Sequence, residues 1–513
     1  MSKRFYVTTA ISYVNAKPHL GHAYEAISTD VIARFKRLDG YDVWFLTGTD
    51  EHGQKVEETA RAAGQDPKSF CNDVAGSFRE MDALLEISND DFIRTTEPRH
   101  RRASQGLWKR LAEAGDIYLG QYAGWYSVRD EAFFAENELT KDEEGNYLAP
   151  SGAPVRWLEE PSYFFRLSDY TDRLLAHYEA NPDFILPHYR RNEVVSFVSQ
   201  GLTDLSISRT SFDWGVPVPG DDDHVMYVWL DALTNYITAL GYPDEDEQKF
   251  ADFWPADLHV IGKDILRFHA VYWPAFLMSA GLPLPKRVFG HGFLTVQGQK
   301  MSKSLGNVLS PDDLVSEFGL DQIRYFLMRE VPYGNDGSIS RESMINRINS
   351  DLSNDLGNLA QRVLSMIAKN CGAAVPQPGP LSAEDEALLT AARDVLPKMR
   401  EAMEVQAIHR ALEAVWRVVS DANRYVDAQA PWALRKSDPD RMATVLYVFA
   451  DVTRMLGLYV QPVVPGSAGR LLDQLAVAPD ARRFADIETA LTPGTPLPAP
   501  KPVFPRHMDA DTA

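Results

Sequence analysis

Two short stretches carry residue types and spacings suited to phosphate chemistry. The first is His19-Leu20-Gly21-His22, which follows an apolar segment, Phe5 to Thr9, and opens a segment of helical spacing. The N–H groups of a helix's first turn lack intrahelical partners and carry partial positive charge, so a phosphate placed there gains roughly 0.3–1 kcal/mol from the dipole. Two imidazoles add donors beside it, and Gly21 lets a nucleotide approach backbone that a Cβ would shield. The bland alternative is a pair of surface histidines at a helix start. The second stretch is Gly298-Gln299-Lys300-Met301-Ser302-Lys303-Ser304-Leu305-Gly306-Asn307, a loop with two Lys and two Ser. Paired ammonium groups on such a loop can close over a triphosphate and stabilise charge that develops in the transition state, which raises rate. For an isolated Lys-x-x-Lys the alternative is a solvated loop.

Both stretches need a frame. Phe5 to Thr9 is β-branched and aromatic, Leu20 to Leu38 has helical apolar spacing, and Val43 to Thr47 is another short apolar run, the opening of an α/β domain. Residues 115 to 217 break the rhythm with strand-like pieces such as Tyr122 to Val128 and an acidic turn at Asp142 to Asn146, and read as an insertion. The βα alternation resumes at Asp257 to Gly262, followed by a predicted helix from about Asp264 to Ala280 and a strand near Arg287-Val288-Phe289. From Arg341 to about Leu475 apolar residues recur at three- and four-residue intervals, which predicts a helix bundle. After Thr492 six prolines favour extended backbone. The expected division is 1–114 and 218–297 for a parallel-sheet domain split by an insertion at 115–217, then connecting elements at 298–340, a helical domain at 341–480 and a Pro-rich tail at 481–513.

The composition bounds the possibilities. A chain of 513 residues with 45% hydrophobic and 11% aromatic content is a folded, multidomain composition. The two cysteines, Cys71 and Cys371, cannot make a disulfide framework or a four-thiolate metal site, which points to a reducing, cytoplasmic compartment. No apolar stretch approaches 18 uninterrupted residues, and no secretory leader opens the chain, so no membrane partner is expected. The net charge of −20 argues against nucleic acid when taken as an average. It is regional, however: residues 220 to 257 hold ten acids and one Lys, whereas Arg94 to Arg110 holds six basic residues against Glu97.

Taken together, on the two halves of a split βα fold, His19-Leu20-Gly21-His22 and Lys300-Met301-Ser302-Lys303-Ser304 resemble the paired signatures of class I aminoacyl-tRNA synthetases. Further segments narrow the resemblance to the methionyl-tRNA synthetases: Ala10-Ile11-x-Tyr13, Thr49-Asp50-Glu51-His52-Gly53, Val228-Trp229-Leu230-Asp231-Ala232, Ile261-Gly262-Lys263-Asp264-Ile265 and Phe268-His269. The likeness runs from about Lys3 to Leu475 and leaves the Pro-rich tail unassigned. It implies a Rossmann-like catalytic domain split by a connective insertion and followed by an all-α anticodon-binding bundle. It implies a ligase that joins L-methionine to ATP, releases diphosphate, and passes the methionyl group to the 3′ adenosine of tRNA(Met), initiator included. Mg²⁺ is expected with ATP.

The same resemblance implies residue roles. His19, Gly21, His22, Glu25, Gly262, Asp264, Lys300, Ser302 and Lys303 would contact ATP, with His19, His22, Lys300 and Lys303 acting in catalysis. Ala10, Ile11, Tyr13, Trp229, Ala232, Leu233, Tyr236, Ile265, His269 and Trp273 would line the methionine slot, and Asp50 would pair with the substrate ammonium. Leu233 stands where many relatives carry Pro. Sulfur–aromatic contacts of about 0.3–1.5 kcal/mol are too weak alone to exclude leucine, so a Tyr or His donor near the sulfur is expected to add to them. Without the motifs, Trp229, Tyr236 and Trp273 would read as core packing. Asn358 and Arg362, four apart on one helix face, and Trp432, after a helix end at Ala430-Pro431, match the anticodon-reading positions; their alternatives are a solvated face and a core plug.

Many relatives carry a zinc knuckle of Cys-x-x-Cys pairs in the insertion. Here Ser127 and Asp130 stand at the first pair and Pro150 to Ala153 at the second, so no structural zinc is expected, and Trp125, Tyr126, Phe133, Phe134 and Trp157 are expected to hold the insertion by packing. A monomer is expected, since no appended dimerisation domain follows the bundle. A nucleotidyltransferase without tRNA and a silent tRNA-binding protein are the alternatives from other classes; the bundle residues weigh against the first and the intact signatures against the second.

Overall fold

In a computed structural model of the chain, the described residues are 3–134, 136–142, 144–244, 247–296, 298–300 and 309–508. They fall into two compact units. One comprises Arg4–Pro18 and Trp44–Gly290, and the other comprises His19–Val43 and the chain from His291 onward.

The first unit is built on a seven-stranded sheet of β1 (Arg4–Thr8), β2 (Ser12–Tyr13), β3 (Asp42–Asp50), β4 (Asp91–Arg94), β5 (Ile185–Leu186), β6 (Leu258–Gly262) and β7 (Val288–His291). The strand order is β5-β7-β6-β1-β3-β2, with β4 also pairing β3. The registers Val7↔Leu258, Ser12↔Thr49, Leu46↔Asp91 and Ile185↔Val288 are all parallel. Parallel strands are covered on both faces and therefore read as continuous apolar runs. All five residues of β6, Leu-His-Val-Ile-Gly, are buried, as are the last six of β3. Ligands of open parallel sheets bind beyond the carboxyl ends of the strands. Those ends deliver Tyr13 and Asp50, which face each other in register, and Gly262.

The insertion carries its own four-stranded sheet. Its spine is a long antiparallel pair, Ile117–Ser127 with Arg156–Phe165, in register from Ile117↔Phe165 to Tyr126↔Arg156, flanked by Ala132–Phe134 and Leu205–Ser206. Aromatic residues clasp it as expected, though unevenly: Trp125 lies between Tyr147 and Trp157, at 4.5 and 5.4 Å between ring centroids, and Tyr126 is fully buried, while Trp157 is 52% exposed. The side chain of Phe133 lies outside the described residues.

One predicted helix is broken. In place of a continuous run from Asp264 to Ala280 the chain makes a 3₁₀ turn at Lys263–Ile265, a π-helical stretch at Phe268–Tyr272 and an α-helix at Trp273–Ala280. Pro274 at the start of the α-helix has no N–H to continue an i→i−4 ladder from the preceding turn, and the wider π-turn absorbs the interruption.

In the second unit, helix Leu20–Leu38 matches its predicted bounds. The bundle is formed by helices that include Asn358–Asn370, Ala383–Arg393, Ile408–Gln429 and Pro439–Val460. The last is long and apolar enough to cross a membrane, but it is the core helix of the bundle, with Val445, Leu446, Val448, Phe449, Val452 and Leu456 wholly covered. The tail is extended, as its prolines require, and docked. Ala374 bridges to Pro496, Leu497 N–H donates to Ala373 O, His507 N–H donates to Asn349 Oδ1, and Val503 and Phe504 are buried.

A buried ion pair ties two helices of this unit. Arg324 Nη2 donates to Asp30 Oδ2 at 2.5 Å with both side chains fully covered, while Arg324 also donates to the carbonyls of Val463 and Pro462. Removing one partner strands a buried charge. Asp30→Ala is therefore expected to lower unfolding free energy by about 3–5 kcal/mol. Glu317→Ala, which breaks the exposed pair with Arg341, is expected to cost no more than about 1 kcal/mol. Urea midpoints of the two variants check the contrast, and equal shifts would contradict it.

Candidate active site

The first signature is a helix cap made of imidazoles. His19 is the N-cap of helix Leu20–Leu38; its Nδ1 accepts the Gly21 N–H at 3.0 Å, and the Nδ1 of His22 accepts the His19 N–H at 3.1 Å, a reciprocal capping box. The two rings stack with centroids 3.9 Å apart. A Cβ on Gly21 would lie 2.8 Å from His19 Cε1, so glycine leaves the space into which this ring folds back on the helix. Because both Nδ1 atoms accept, the proton of each neutral ring resides on Nε2. Burial, and then the adjacent His19 ring, push the His22 imidazole down to about 3, so it is a neutral donor at physiological pH. Glu25, one turn along the same helix, accepts from or shares a proton with His291 Nε2 at 2.9 Å, and the other ring nitrogen of His291 faces Gly292 O at 2.9 Å.

Lys300 pairs with Thr295 in a short hairpin. Its side chain, with Ser302 and Lys303, lies outside the described residues.

The slot residues gather in the first unit. Ala10, Ile11, Tyr13, Trp229 and Ile265 are partly exposed and pack on a core that contains Leu233, Tyr236 and Trp273. Ala232 is nearly covered. Trp273 is 0% exposed, and what the structure displays of it and of Leu233 is core packing; Trp273 backs the Tyr236 ring at 6.1 Å. Trp229 stacks flat on Phe268, with centroids 3.8 Å apart and planes 5° from parallel, and His269 stands edge-on to it. Burial pushes His269 down to about 4. Its Nδ1–H therefore donates to Ile265 O at 2.9 Å, which leaves Nε2 to accept the Tyr236 hydroxyl at 2.7 Å. The Tyr236 hydroxyl and the His269 Nδ1–H thus both have acceptors within the protein.

Asp50, at the carboxyl end of β3, is buried, and its Oδ1 has no hydrogen-bond partner among the described residues. Burial first, then the charges of Asp231 and Glu131, raise its pKa well above the ordinary carboxylate range, against a hydrogen bond from the His52 backbone. Asp231 is handled the opposite way. Its carboxylate meets His52 Nδ1 at 2.6 Å and His100 Nε2 at 2.8 Å, and accepts Ser104 Oγ at 3.1 Å. Burial alone would raise it, but the two imidazoles prevail and hold it below the usual range. A small cation is the natural complement of the unpaired Asp50 oxygen. Gly262 closes β6, where a Cβ would sit 2.6 Å from Asp264 Oδ1, and Asp264 itself is exposed.

In the bundle, Arg362 and Trp432 come together, with the guanidinium 5.5 Å from the ring centroid. Asp427 holds the same guanidinium at 2.7 Å. Trp432 is 49% exposed, which removes the core-plug alternative, and Asn358 is exposed one turn before Arg362. Ala430 at φ 43° ends helix Ile408–Gln429 and starts the short helix that presents Trp432.

Sequence reasoning passed over Phe268 as a stacking partner, the pairing of His52 and His100 with Asp231, His291, Asp427, and above all Glu131. His52, Asp231 and Phe268 stood inside recognised motifs, so a signal existed for them. Glu131 and Asp427 reach their partners only through tertiary structure.

Comparison with known proteins agrees with this geometry. Residues 5–364 match the family model of class I tRNA synthetases (M), and 375–513 match the anticodon binding domain of methionyl tRNA ligase, so the likeness takes in the Pro-rich tail as well. The parallel sheet and the helix-capping signature thus define a class I tRNA synthetase. The chain is 62% identical over 510 residues to a methionine–tRNA ligase of Brucella suis, with 99% of each covered, and 62% identical to that of Rhizobium meliloti, with 98% of each covered. It superposes with a TM-score of 0.97 and 59% identity on a Mycobacterium tuberculosis methionyl-tRNA synthetase in complex with methionyl-adenylate, covering 98% of this chain and 100% of that one. The chain belongs to the methionine–tRNA ligase family.

The raised Asp50 carboxyl has a measurable signature without any ligand. A folded-state pKa above the unfolded value means that the ionised form opposes folding at neutral pH, and the penalty fades as pH falls through the folded pKa. Asp50→Asn is expected to raise the melting temperature at pH 7, with the gain shrinking as pH approaches 4. A variant less stable than wild type at pH 7 would contradict the assignment.

Proposed function

We propose that the chain activates L-methionine with ATP to form methionyl-adenylate and diphosphate, and transfers the methionyl group to the 3′ end of tRNA(Met), serving initiation and elongation in the cytoplasm as a monomer. The observation that carries this reading is the end-to-end likeness to methionine–tRNA ligases together with intact signatures at both phosphate-binding positions.

In the first step the methionine carboxylate attacks the α-phosphate of ATP and diphosphate leaves. Asp50 takes the substrate ammonium, and its unpaired oxygen is the feature that supports this role. The slot from Ala10 to Trp273 takes the side chain by shape and aromatic contact, with Tyr236 and His269 linked to each other at its wall. His19 and His22 present neutral Nε2–H donors to phosphate oxygens at the helix start, where the dipole adds to them. Lys300, Ser302 and Lys303 stabilise the leaving diphosphate, and Glu25, Gly262 and Asp264 contact the adenosine. Alignment of two bound reactants supplies roughly 7–11 kcal/mol of the barrier reduction. Mg²⁺ would be held by the nucleotide's own phosphates and would neutralise part of their charge; among the described residues no cluster of three or more His, Cys, Asp or Glu is placed to hold a metal. The insertion works without zinc: Ser127 and Ser151 both donate to Asp130 Oδ2, at 2.8 and 2.5 Å, where thiolates would otherwise sit.

In the second step the anticodon is read by Asn358, Arg362 and Trp432. An exposed indole beside a guanidinium is a stacking platform, worth about 1–3 kcal/mol per base.

Diphosphate exchange across the twenty amino acids tests the activity, and exchange that does not depend on methionine would overturn it. In the same assay Asp50→Asn is expected to raise the KM for methionine by about tenfold or more, the loss of a charged hydrogen bond. Trp432→Ala is expected to raise the KM for tRNA at least about fivefold while sparing exchange. Equal loss in both assays would point to a folding role for Trp432. Metal analysis of the purified chain is expected to find zinc well below one equivalent.

A further inference from the structure

Glu131 closes the turn that joins strand Ile117–Ser127 to Ala132–Phe134, and the needs of the turn do not explain it. Its φ of 47° lies in the left-handed region that L side chains rarely adopt, where Gly or Asn would ordinarily stand. The side chain is 5% exposed, although a turn glutamate costs least when solvated. It reaches beyond the insertion sheet while keeping one contact within it. Oε1 accepts the Tyr13 hydroxyl at 3.1 Å and the Lys55 N–H at 2.9 Å, and Oε2 accepts the Tyr126 hydroxyl. Room for this contact is made by Gly53, whose φ of 110° favours glycine and whose Cβ would lie 2.9 Å from both Glu131 Oε1 and Tyr13 Oη. The turn is locked from outside by Asp130, whose backbone N–H donates to Ser127 Oγ and whose carboxylate accepts both Ser127 and Ser151.

We propose that Glu131 is a positioning residue for the amino-acid pocket: its carboxylate fixes the Tyr13 phenol, so that the insertion sets one wall of the methionine slot. This rests on the reading of Tyr13 as part of that slot. Tyr13 belongs to a two-residue strand beside Asp50 and is only half-buried; its ring packs on the core, and its hydroxyl is held by Glu131. A charged acceptor holds a phenol more firmly than a neutral one. A buried carboxylate used only to staple a turn would be a poor choice, since an apolar side chain does that without desolvation. The polar lock of Ser127, Asp130 and Ser151 then has a purpose: it holds in place the turn that delivers Glu131.

The test uses the full chain in methionine-dependent diphosphate exchange. Glu131→Gln keeps the side-chain shape and one acceptor oxygen but removes the charge. It is expected to raise the KM for methionine about tenfold, with the KM for ATP and kcat within about twofold of wild type. Tyr13→Phe is expected to raise the same KM, and the double variant to be no worse than the more impaired single one, because both lose one contact. An unchanged KM for methionine in Glu131→Gln, equal rises for methionine and ATP, or additive effects in the double variant would each overturn the proposal. If Tyr13→Phe and Asp50→Asn both leave the KM for methionine unchanged, the reading of the slot itself fails. If those two are impaired and Glu131→Gln is not, only the positioning role fails. Should Glu131→Gln not fold, Ser151→Ala, which loosens the lock without touching the carboxylate, must raise the KM for methionine over that for ATP; unchanged values overturn the proposal.

Discussion

A carboxylate that is buried and lacks a full set of partners is expensive, and Asp50 is the point around which the first unit is arranged. Its position follows from the parallel sheet, since β3 terminates there and Tyr13 of β2 lies opposite it in register. Nearby acids would compound the cost, and the fold disposes of them individually. Asp231 is clamped by two imidazoles, and Glu51 by Arg94, whose Nε and Nη2 lie 2.5 and 3.0 Å from its two oxygens. Glu131 spends its oxygens on two phenols and a backbone N–H. What remains is one carboxylate oxygen kept in deficit, a state that a small cation would relieve. Binding specificity and local instability are the same fact viewed from two sides.

The histidine signature shows a related economy. A helix must cap its first N–H groups somehow, and Ser, Thr or Asp is the ordinary solution. Here two imidazoles perform the cap through Nδ1, which fixes their tautomers and directs the protonated Nε2 away from the helix backbone. Helix capping and the placing of two Nε2–H donors are thereby written into the same four residues, with Gly21 leaving room for the His19 ring.

Much of this was legible in the sequence because it is local. Helix Leu20–Leu38 has matching caps and apolar spacing, and the strands of a doubly covered sheet are apolar throughout. The residues proposed to line the slot could be nominated because they stand in contiguous motifs, such as Val228 to Ala232. The break in the stretch from Asp264 to Ala280 was not, since apolar spacing there suits an α-helix and the π-turn emerges only from how His269 and Pro274 are accommodated. Nor was the deployment of protons: which nitrogen of His269 donates depends on Ile265 O and on burial, neither of which a residue list encodes. Glu131 was invisible for the same reason, because its partners Tyr13 and Tyr126 lie on separate sheets.

The order of strands in the central sheet also governs how the chain is made. β1 pairs with β6, Val7 opposite Leu258, so the N-terminal strand lacks its neighbour on one side until some 250 residues later. At a synthesis rate of about 5–20 residues per second, β1 waits on the order of ten seconds or more with one apolar strand edge unpaired. Meanwhile the insertion, whose two long strands are joined by a loop of fewer than thirty residues, has already emerged whole. A module able to pair its own strands early, inserted in the middle of a sheet that cannot, gives the nascent protein a folded body before the parallel sheet can close.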